Sequence, residues 1–382
     1  MHLDEIKTPA LVLDRARLAR NIARMHARAR ELGVDLRPHL KTAKSAHVAA
    51  LATKGFSGGI TVSTLSEARY FAAREFTDMT YAVGIVPSKL DEVAALHRQG
   101  VTVTIITDDV TVAREIGARA AALDASFRVL IEIDTGGARA GVDPESPELL
   151  AIAEALARAP RVTLAGVLTH AGHSYGCDSV DDIIAVAEEE RAGAVRAAAR
   201  LRAAGHAAPV VSVGSTPTAL FARHLDGVTE MRPGNFVFFD LFQSSLGTCA
   251  ETDIAVSVLA SVIGHHRRYN HILLDAGALA LSKDVGANTR RPGTGYGAIC
   301  RVDGEVPEPG LAVLDVHQEH GIVGYARGLD AISPLPFDSF PVGSRVRVLP
   351  NHSCMTAAMY DRYVVTDGGT EVVDVWDRVN GW

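Results

Sequence analysis

Residues 101–133 read VTVTIITDDVTVAREIGARAAALDASFRVLIEI. A β-branched run, 101–107, gives way to a stretch of helical period rich in Ala, Arg and Glu, 110–122, and then to a second apolar run, 127–133. Strands that are apolar almost throughout are buried on both faces, so this unit predicts two parallel strands joined by a crossover helix. Working outward, further strands are expected at 36–39, 59–63, 79–83, 164–169, 210–213 and 228–231, with helices at 66–74, 147–159 and 180–204. Eight strands and seven crossovers predict a (β/α)8 TIM-like barrel. An open doubly wound sheet would carry G-x-G-x-x-G after an early strand, and that fingerprint is missing.

After about residue 250 the texture changes to Val- and Ile-rich runs such as IAVSVLASVIG, SRVRVLP and EVVDVW, broken by Gly, Pro, Asn and Asp. This predicts a C-terminal antiparallel β domain. The expected division is residues 1–250 as the barrel and 251–382 as the β domain, with the extended segment near residues 8–14 open to joining the latter. A helix is expected from about Arg15 to Leu32, ended by Gly33, and residues 333–341 (SPLPFDSFP) form a Pro-rich connection.

The chain has 382 residues, 38 Lys+Arg against 45 Asp+Glu, and no basic run, which argues against a nucleic-acid or anionic-membrane partner. Four scattered cysteines without C-x-x-C do not make a disulfide framework and suit a reducing compartment. With neither a signal-peptide pattern nor an apolar run long enough to span a bilayer, the expected location is cytoplasmic.

In a barrel of this kind chemistry sits at the C-terminal ends of the strands. There the sequence places His39 and Lys41, Asp134 and Arg139, His170, His173 and Tyr175, then Gly214-Ser215-Thr216-Pro217-Thr218, and Arg232-Pro233-Gly234-Asn235. Gly214 permits a tight turn, Ser215 or Thr216 can cap, and Pro217 suits a first helical turn, so backbone N–H groups would point outward at an anion. Lys41 shares that mouth, and Arg37, Arg139 and Arg232 supply the cations that keep such an amine neutral and nucleophilic. A phosphate site with a mouth lysine is what pyridoxal phosphate requires. Lys44 competes with Lys41 on spacing alone.

In the β domain, Pro350-Asn351-His352-Ser353-Cys354 would present an imidazole and a thiolate on one side of a strand. Two ligands are too few for a closed structural zinc site and leave an open, catalytic metal. His317-x-x-His320 lacks the H-E-x-x-H pattern and reads as polar loop.

Taken together, TPALVLD, RPHLKTAKS, VLTHAGHSYG, VVSVGSTPTAL, LDGVTEMRPG, QEHGIV and LPNHSC resemble the fold-type III pyridoxal phosphate enzymes of the alanine racemase barrel group, and within them the D-serine dehydratase-like branch. The resemblance implies that Lys41 carries the cofactor, that Gly214, Ser215 and Thr216 with backbone around Gly234 and Asn235 hold its phosphate, and that Arg139, His170, Tyr175 and Arg232 line its ring. It also implies that His352 and Cys354 hold Zn2+, or another divalent ion such as Mn2+, beside the cofactor. The activity implied is loss of water and ammonia from a small D-3-hydroxy amino acid, D-threo-3-hydroxyaspartate or D-serine, in a homodimer. Related D-threonine aldolases instead cleave Cα–Cβ and carry a motif like H-x-D, so the thiolate of Cys354 favours dehydration. A racemase would need two opposed bases and no metal, and a metal hydrolase would leave Lys41 unexplained.

Overall fold

The computed structural model describes residues 1–304, 307–326 and 334–382. The chain divides into two compact units, Arg24–Gly234 with the last two residues, and Met1–Ala23 with Asn235–Asn380.

The first unit is built on eight parallel strands: β2 (Asp35–Leu36), β3 (Ile60–Val62), β4 (Asp78–Gly84), β5 (Thr102–Thr107), β6 (Phe127–Ile133), β7 (Val162–Thr169), β8 (Val210–Val213) and β9 (Glu230–Met231). Their order is β2-β9-β8-β7-β6-β5-β4-β3. A parallel bridge between His39 and Thr61, with the Leu40 amide donating to the Thr61 carbonyl at 2.8 Å, closes β2 onto β3 and completes the barrel. The strands β2 and β9 are shorter than their sequences suggest because each runs into an Arg-Pro pair, and Pro38 and Pro233 have no N–H for the ladder. Pairing continues past them through single bonds, from the Arg37 amide to the Met231 carbonyl and from the His39 amide to the Pro233 carbonyl, both 3.0 Å. Ile106, Leu130, Ala165 and Leu168 pack together as a buried apolar cluster. The crossover helices start on side-chain caps: Thr64 accepts from the Glu67 amide, Asp109 from the Thr111 and Val112 amides, and Ser179 and Asp182 form a reciprocal pair ahead of the helix Val180–Ala203.

Among the described residues the second unit holds nine strands: β1 (Ala10–Asp14), β10 (Val256–His266), β11 (His271–Leu274), β12 (Gly297–Arg301), β13 (Pro307–Val316), β14 (Gly321–Tyr325), β15 (Arg345–Pro350), β16 (Arg362–Thr366) and β17 (Val372–Asp377). The long strand β10 pairs with β15 through its middle and, beyond a register shift at Val262/Gly264, with β11. The antiparallel ring β10-β15-β12-β13-β14-β11 thereby closes on itself. The strand β1 lies between β10, antiparallel, and β16, parallel. The opening strand is thus part of the β unit, whereas the helix that follows it, Arg15–Glu31, runs from one unit into the other.

The expected boundary near residue 250 differs from the observed one at Gly234/Asn235. Residues 235–250 are tied to the β unit by hydrogen bonding: the Phe242 amide donates to the Asn351 carbonyl at 3.1 Å, and Asp240 Oδ2 accepts from the Ser353 amide at 3.0 Å. Of the Pro-rich connection, Ser333 lies outside the described residues, and the part from Pro334 to Pro341 includes a short turn at Phe337–Ser339.

Candidate active site

At the C-terminal ends of the barrel strands the structure gathers most of the expected polar residues. Lys41 is exposed there, three residues before Lys44, which is only partly exposed. The Lys44 ammonium lies 3.3 Å from Oε1 of Glu67, whose side chain is 1% exposed, so the competing lysine is committed to a structural ion pair.

His170, just past β7, donates from Nδ1 to the Gly214 carbonyl at 2.8 Å. A carbonyl only accepts, so the proton sits on Nδ1 and Nε2 carries the lone pair. Burial, then the positive charge of Lys41, with Arg139 and Arg232 adding to it, pushes this imidazole down to about 3. His39 is likewise held well below its ordinary range, first by burial and then by Lys41, Arg232 and His170. Both rings are therefore neutral at physiological pH. Tyr175 lies beside His170, with ring centroids 6.4 Å apart.

Arg232 is 4% exposed and anchored by three bonds: from Nη1 to Ser212 Oγ at 2.5 Å and to the Val213 carbonyl at 3.3 Å, and from Nη2 to the Thr169 carbonyl at 2.5 Å. Burial pulls its pKa down to about 10 against the upward pull of Glu230, Glu190 and Glu132, so it keeps its charge. Glu230 Oε1 accepts from Ser212 at 2.5 Å and Oε2 from Arg37 at 2.8 Å, which locks the Arg37 guanidinium to the barrel wall. Arg139 is exposed and lies 3.8 Å from Glu132.

The turn Gly214–Thr218 has the expected caps, with Ser215 Oγ accepting from the Thr218 amide at 3.2 Å and the Ser215 amide donating to Thr218 Oγ1 at 3.0 Å. Gly214 sits at φ +131, and a Cβ there would come within 2.7 Å of the Arg232 amide nitrogen, so only glycine fits. The Gly214 amide points inward to Glu190 at 3.0 Å. It therefore shapes the turn, unlike the outward orientation expected for the backbone N–H groups here. A Cβ on Gly234 would lie 2.7 Å from the His39 carbonyl, which brings that backbone close to the Lys41 loop. Beyond the effect of burial, Lys41 and Arg232 lower both imidazoles and Arg139 adds to them at His170, a cationic donor set suited to an anionic phosphate ester and a substrate carboxylate, in which Lys41 is the exposed amine. The residues fit pyridoxal phosphate.

In the β unit, His352 and Cys354 do not lie on a strand. The strand β15 ends at Pro350, Asn351 is clamped by accepting from the Ala287 amide and donating to the Gly295 carbonyl, and His352 is the cap residue of the helix Ser353–Ala357. The pair is formed by this turn instead, with Cys354 hydrogen-bonded to His352. Asp284 Oδ2 accepts from His352 Nδ1 at 2.7 Å, while its Oδ1 accepts from the Gly286 amide at 2.9 Å. Burial lowers the His352 pKa, but the bonds to Asp284 and Cys354 outweigh it and push it up to about 11. A carboxylate on Nδ1 directs Nε2 outward, the arrangement by which histidine ligands are oriented on metal ions. An imidazole and a thiolate suit a borderline-soft divalent ion. Among the described residues no group of three or more His, Cys, Asp or Glu could hold a metal, so an ion on this pair would keep open positions. Asn235, expected at the phosphate, belongs to this unit: its Nδ2 donates to Asp240 at 2.8 Å and to Ser353 at 3.2 Å, and its buried Oδ1 has no hydrogen-bond partner.

Asp284 and Glu190 fall outside the expectations drawn from sequence. Nothing in LSKDVGAN marks Asp284 as the partner of a histidine far along the chain. Glu190 carries a signal: at helical spacing it shares a face with Ile183, Ala187 and Ala194, an apolar stripe where a carboxylate is out of place. His317 and His320 lie in the loop between β13 and β14, as expected.

Residues 13–241 match the alanine racemase N-terminal domain, and residues 255–366 match a serine dehydratase domain. The chain is 47% identical over 380 residues to D-threo-3-hydroxyaspartate dehydratase of Delftia sp. (strain HT23), covering 99% of this chain and 98% of that one. It is 30% identical to D-serine dehydratase of Dictyostelium discoideum, over 100% of this chain and 98% of the other. A solved structure of D-threo-3-hydroxyaspartate dehydratase, a cysteine-to-alanine variant in the metal-free form, has a TM-score of 0.93 at 46% identity and full coverage of both chains. Matched in both its barrel and its β unit, and over its whole length by these relatives, the chain belongs to the D-serine dehydratase-like family of the alanine racemase fold.

Proposed function

We propose that the chain is a pyridoxal phosphate- and divalent metal-dependent lyase that converts a D-3-hydroxy amino acid, D-threo-3-hydroxyaspartate or D-serine, to a 2-oxo acid (oxaloacetate or pyruvate) and ammonia. The observation that carries this reading is the imidazole–thiolate pair His352–Cys354, braced by Asp284, in a chain that also presents Lys41 at the mouth of a barrel. When bound, pyridoxal phosphate supplies an electron sink for charge developing at Cα, and the divalent ion, zinc in this reading, supplies a Lewis acid for a β-hydroxyl that is otherwise a poor leaving group.

Lys41 would hold the cofactor through its ε-amino nitrogen, and the same amine is the base placed to accept a proton from Cα. Thr216 and the backbone around Gly234 and Asn235 receive the phosphate, on a turn whose shape Gly214 and Ser215 fix through their own amide bonds to Glu190 and Thr218. Arg232 stays protonated and fixed. His39 and His170, kept neutral, offer lone pairs without adding charge to an already cationic mouth. Arg139, exposed at the rim, is placed to attract an acidic substrate. His352 and Cys354 hold the ion.

The deciding assay incubates the protein with D-serine, D-threonine and D-threo-3-hydroxyaspartate, with and without a chelator, and scores ammonia against glycine. Ammonia with the 2-oxo acid, lost on chelation, is the expected result. Glycine with an aldehyde as main products would make the chain an aldolase, and chelator-resistant inversion at Cα would make it a racemase.

We further propose a cytoplasmic homodimer. Leu279, Val285, Met355 and Met359 are 44%, 41%, 50% and 64% exposed in the segments that flank Asp284 and His352, exposed apolar side chains suited to cover by a second copy. Sedimentation showing only monomer at micromolar concentration would remove that part of the reading. Among the described residues no helix is long and apolar enough to cross a membrane.

A further inference from the structure

The run Glu188-Glu189-Glu190 on the helix Val180–Ala203 contains three carboxylates with different surroundings. Glu188 is half-exposed and pairs with Arg191, and Glu189 is 63% exposed. Glu190 is 2% exposed and faces the barrel. Its Oε1 accepts from two backbone amides, Ala171 at 2.8 Å and Gly214 at 3.0 Å, and its Oε2 accepts from the Thr218 hydroxyl at 2.7 Å. One carboxylate thus ties the residue that follows His170, the first residue of the Gly214 turn, and the residue that caps that turn.

Burying a carboxylate is costly, and an apolar side chain would fill a helix-to-barrel contact at less expense. Burial raises the pKa of Glu190, opposed by the bonds from Thr218, Ala171 and Gly214. What the acid provides is acceptor capacity: three donors converge on it, more than one carbonyl oxygen serves well. The effect falls on one residue in particular. The Gly214 unit is gripped on both sides, its N–H by Glu190 and its C=O by His170 Nδ1 at 2.8 Å, in a conformation open only to glycine.

We infer that Glu190 is a positioning residue for the phosphate end of the cofactor site, holding the Gly214–Thr218 turn against the His170 loop. The inference rests on the reading that pyridoxal phosphate binds at Lys41. It differs from a general stabilising role because it acts on the phosphate and not on the aldehyde end of the ligand.

The test compares pyridoxal phosphate with pyridoxal, which lacks the phosphate, by absorbance titration of the cofactor-stripped full-length chain and of Glu190→Gln. Gln keeps the oxygen that accepts from Ala171 and Gly214 and replaces the one that accepts from Thr218, and loss of that one bond at a buried site predicts that Glu190→Gln weakens pyridoxal phosphate about 3- to 10-fold and pyridoxal less than about 2-fold. Equal weakening of both ligands, or of neither, overturns the inference. Should Glu190→Gln fail to fold, Thr218→Val, which removes one donor and leaves the carboxylate, is titrated in the same way. It is expected to change the ratio of the two affinities about 3- to 10-fold, and an unchanged ratio overturns the inference. Borohydride reduction of the parent with pyridoxal phosphate is the control: label on Lys41 upholds the underlying reading, and no label there removes it and this inference with it.

Discussion

Replacing Asp284 by Asn tests the metal half of the proposal with almost no change of shape. Asn keeps the oxygen that accepts from the Gly286 amide, so the loop stays in place. The other carboxylate oxygen, 2.7 Å from His352 Nδ1, becomes an amide nitrogen that presents hydrogens. The imidazole then either faces a donor with a donor or moves its proton to Nε2, the nitrogen through which an ion would be held. The two side chains are 33% and 31% exposed, so screening places the lost charge-assisted bond near the lower end of its range, about 1.5 kcal/mol, or roughly tenfold in affinity. Outer-sphere partners of ligating histidines are worth about 10- to 100-fold, which brackets that figure. The assay is competition of the metal-free chain with a chromophoric chelator for zinc, with His352→Ala as the reference for complete loss. If Asp284→Asn binds zinc within about twofold of the parent while His352→Ala does not bind, the carboxylate does not align the ligand and the reasoning fails.

Three further outcomes follow from the same geometry. Lys44→Met should leave the buried Glu67 without its cation and cost about 3 kcal/mol in urea unfolding, while borohydride still labels Lys41; loss of the label would return Lys44 to contention. Cys300 is fully buried, and burial, against the opposing pull of Arg347 and Arg17, pushes its thiol up to about 12, so iodoacetamide at pH 8 should modify the partly exposed Cys354 before Cys300, and zinc should slow the reaction at Cys354. A Cys300 adduct in the folded chain would contradict this. The His170 pKa of about 3 lies below that of an unfolded histidine, so the unfolded chain binds more protons between those values, and stability complete above about pH 6.5 falls as the pH drops, by at most about 1.4 kcal/mol per pH unit. His170→Gln should therefore lose about 1 kcal/mol less than the parent between pH 7.5 and 5.5 in urea titrations, and an identical decline would mean that His170 is already protonated or solvated.

The barrel is legible because its strands, buried on both faces, announce themselves as β-branched runs: 127–133 and 210–213 match observed strands residue for residue. The short β2 and β9 are readable only as apolar hints, since prolines cut their ladders. At the site, residues clustered in the sequence with turn chemistry, such as Gly214-Ser215 and the His170 loop, can be placed from spacing. Asp284 and Asp240 cannot, because their partners His352 and Ser353 lie far along the chain and carboxylates in loops are ordinarily solvated. The H-x-C spacing suggests two side chains on one side of a strand, whereas a helical turn, not strand alternation, brings them together.

The strand β1 sits in the middle of the β unit, where Val12 pairs with Ser257 on one side and Val364 on the other. During synthesis β1 precedes both partners, its Val12 lying far ahead of Ser257 and Val364 in the chain, so the β unit stays incomplete until β16 has left the ribosome. A polypeptide beginning after Asp14 would expose two strand edges at once and invite edge-to-edge association. Loss of β1 therefore strikes the half of the protein that carries His352 and Cys354.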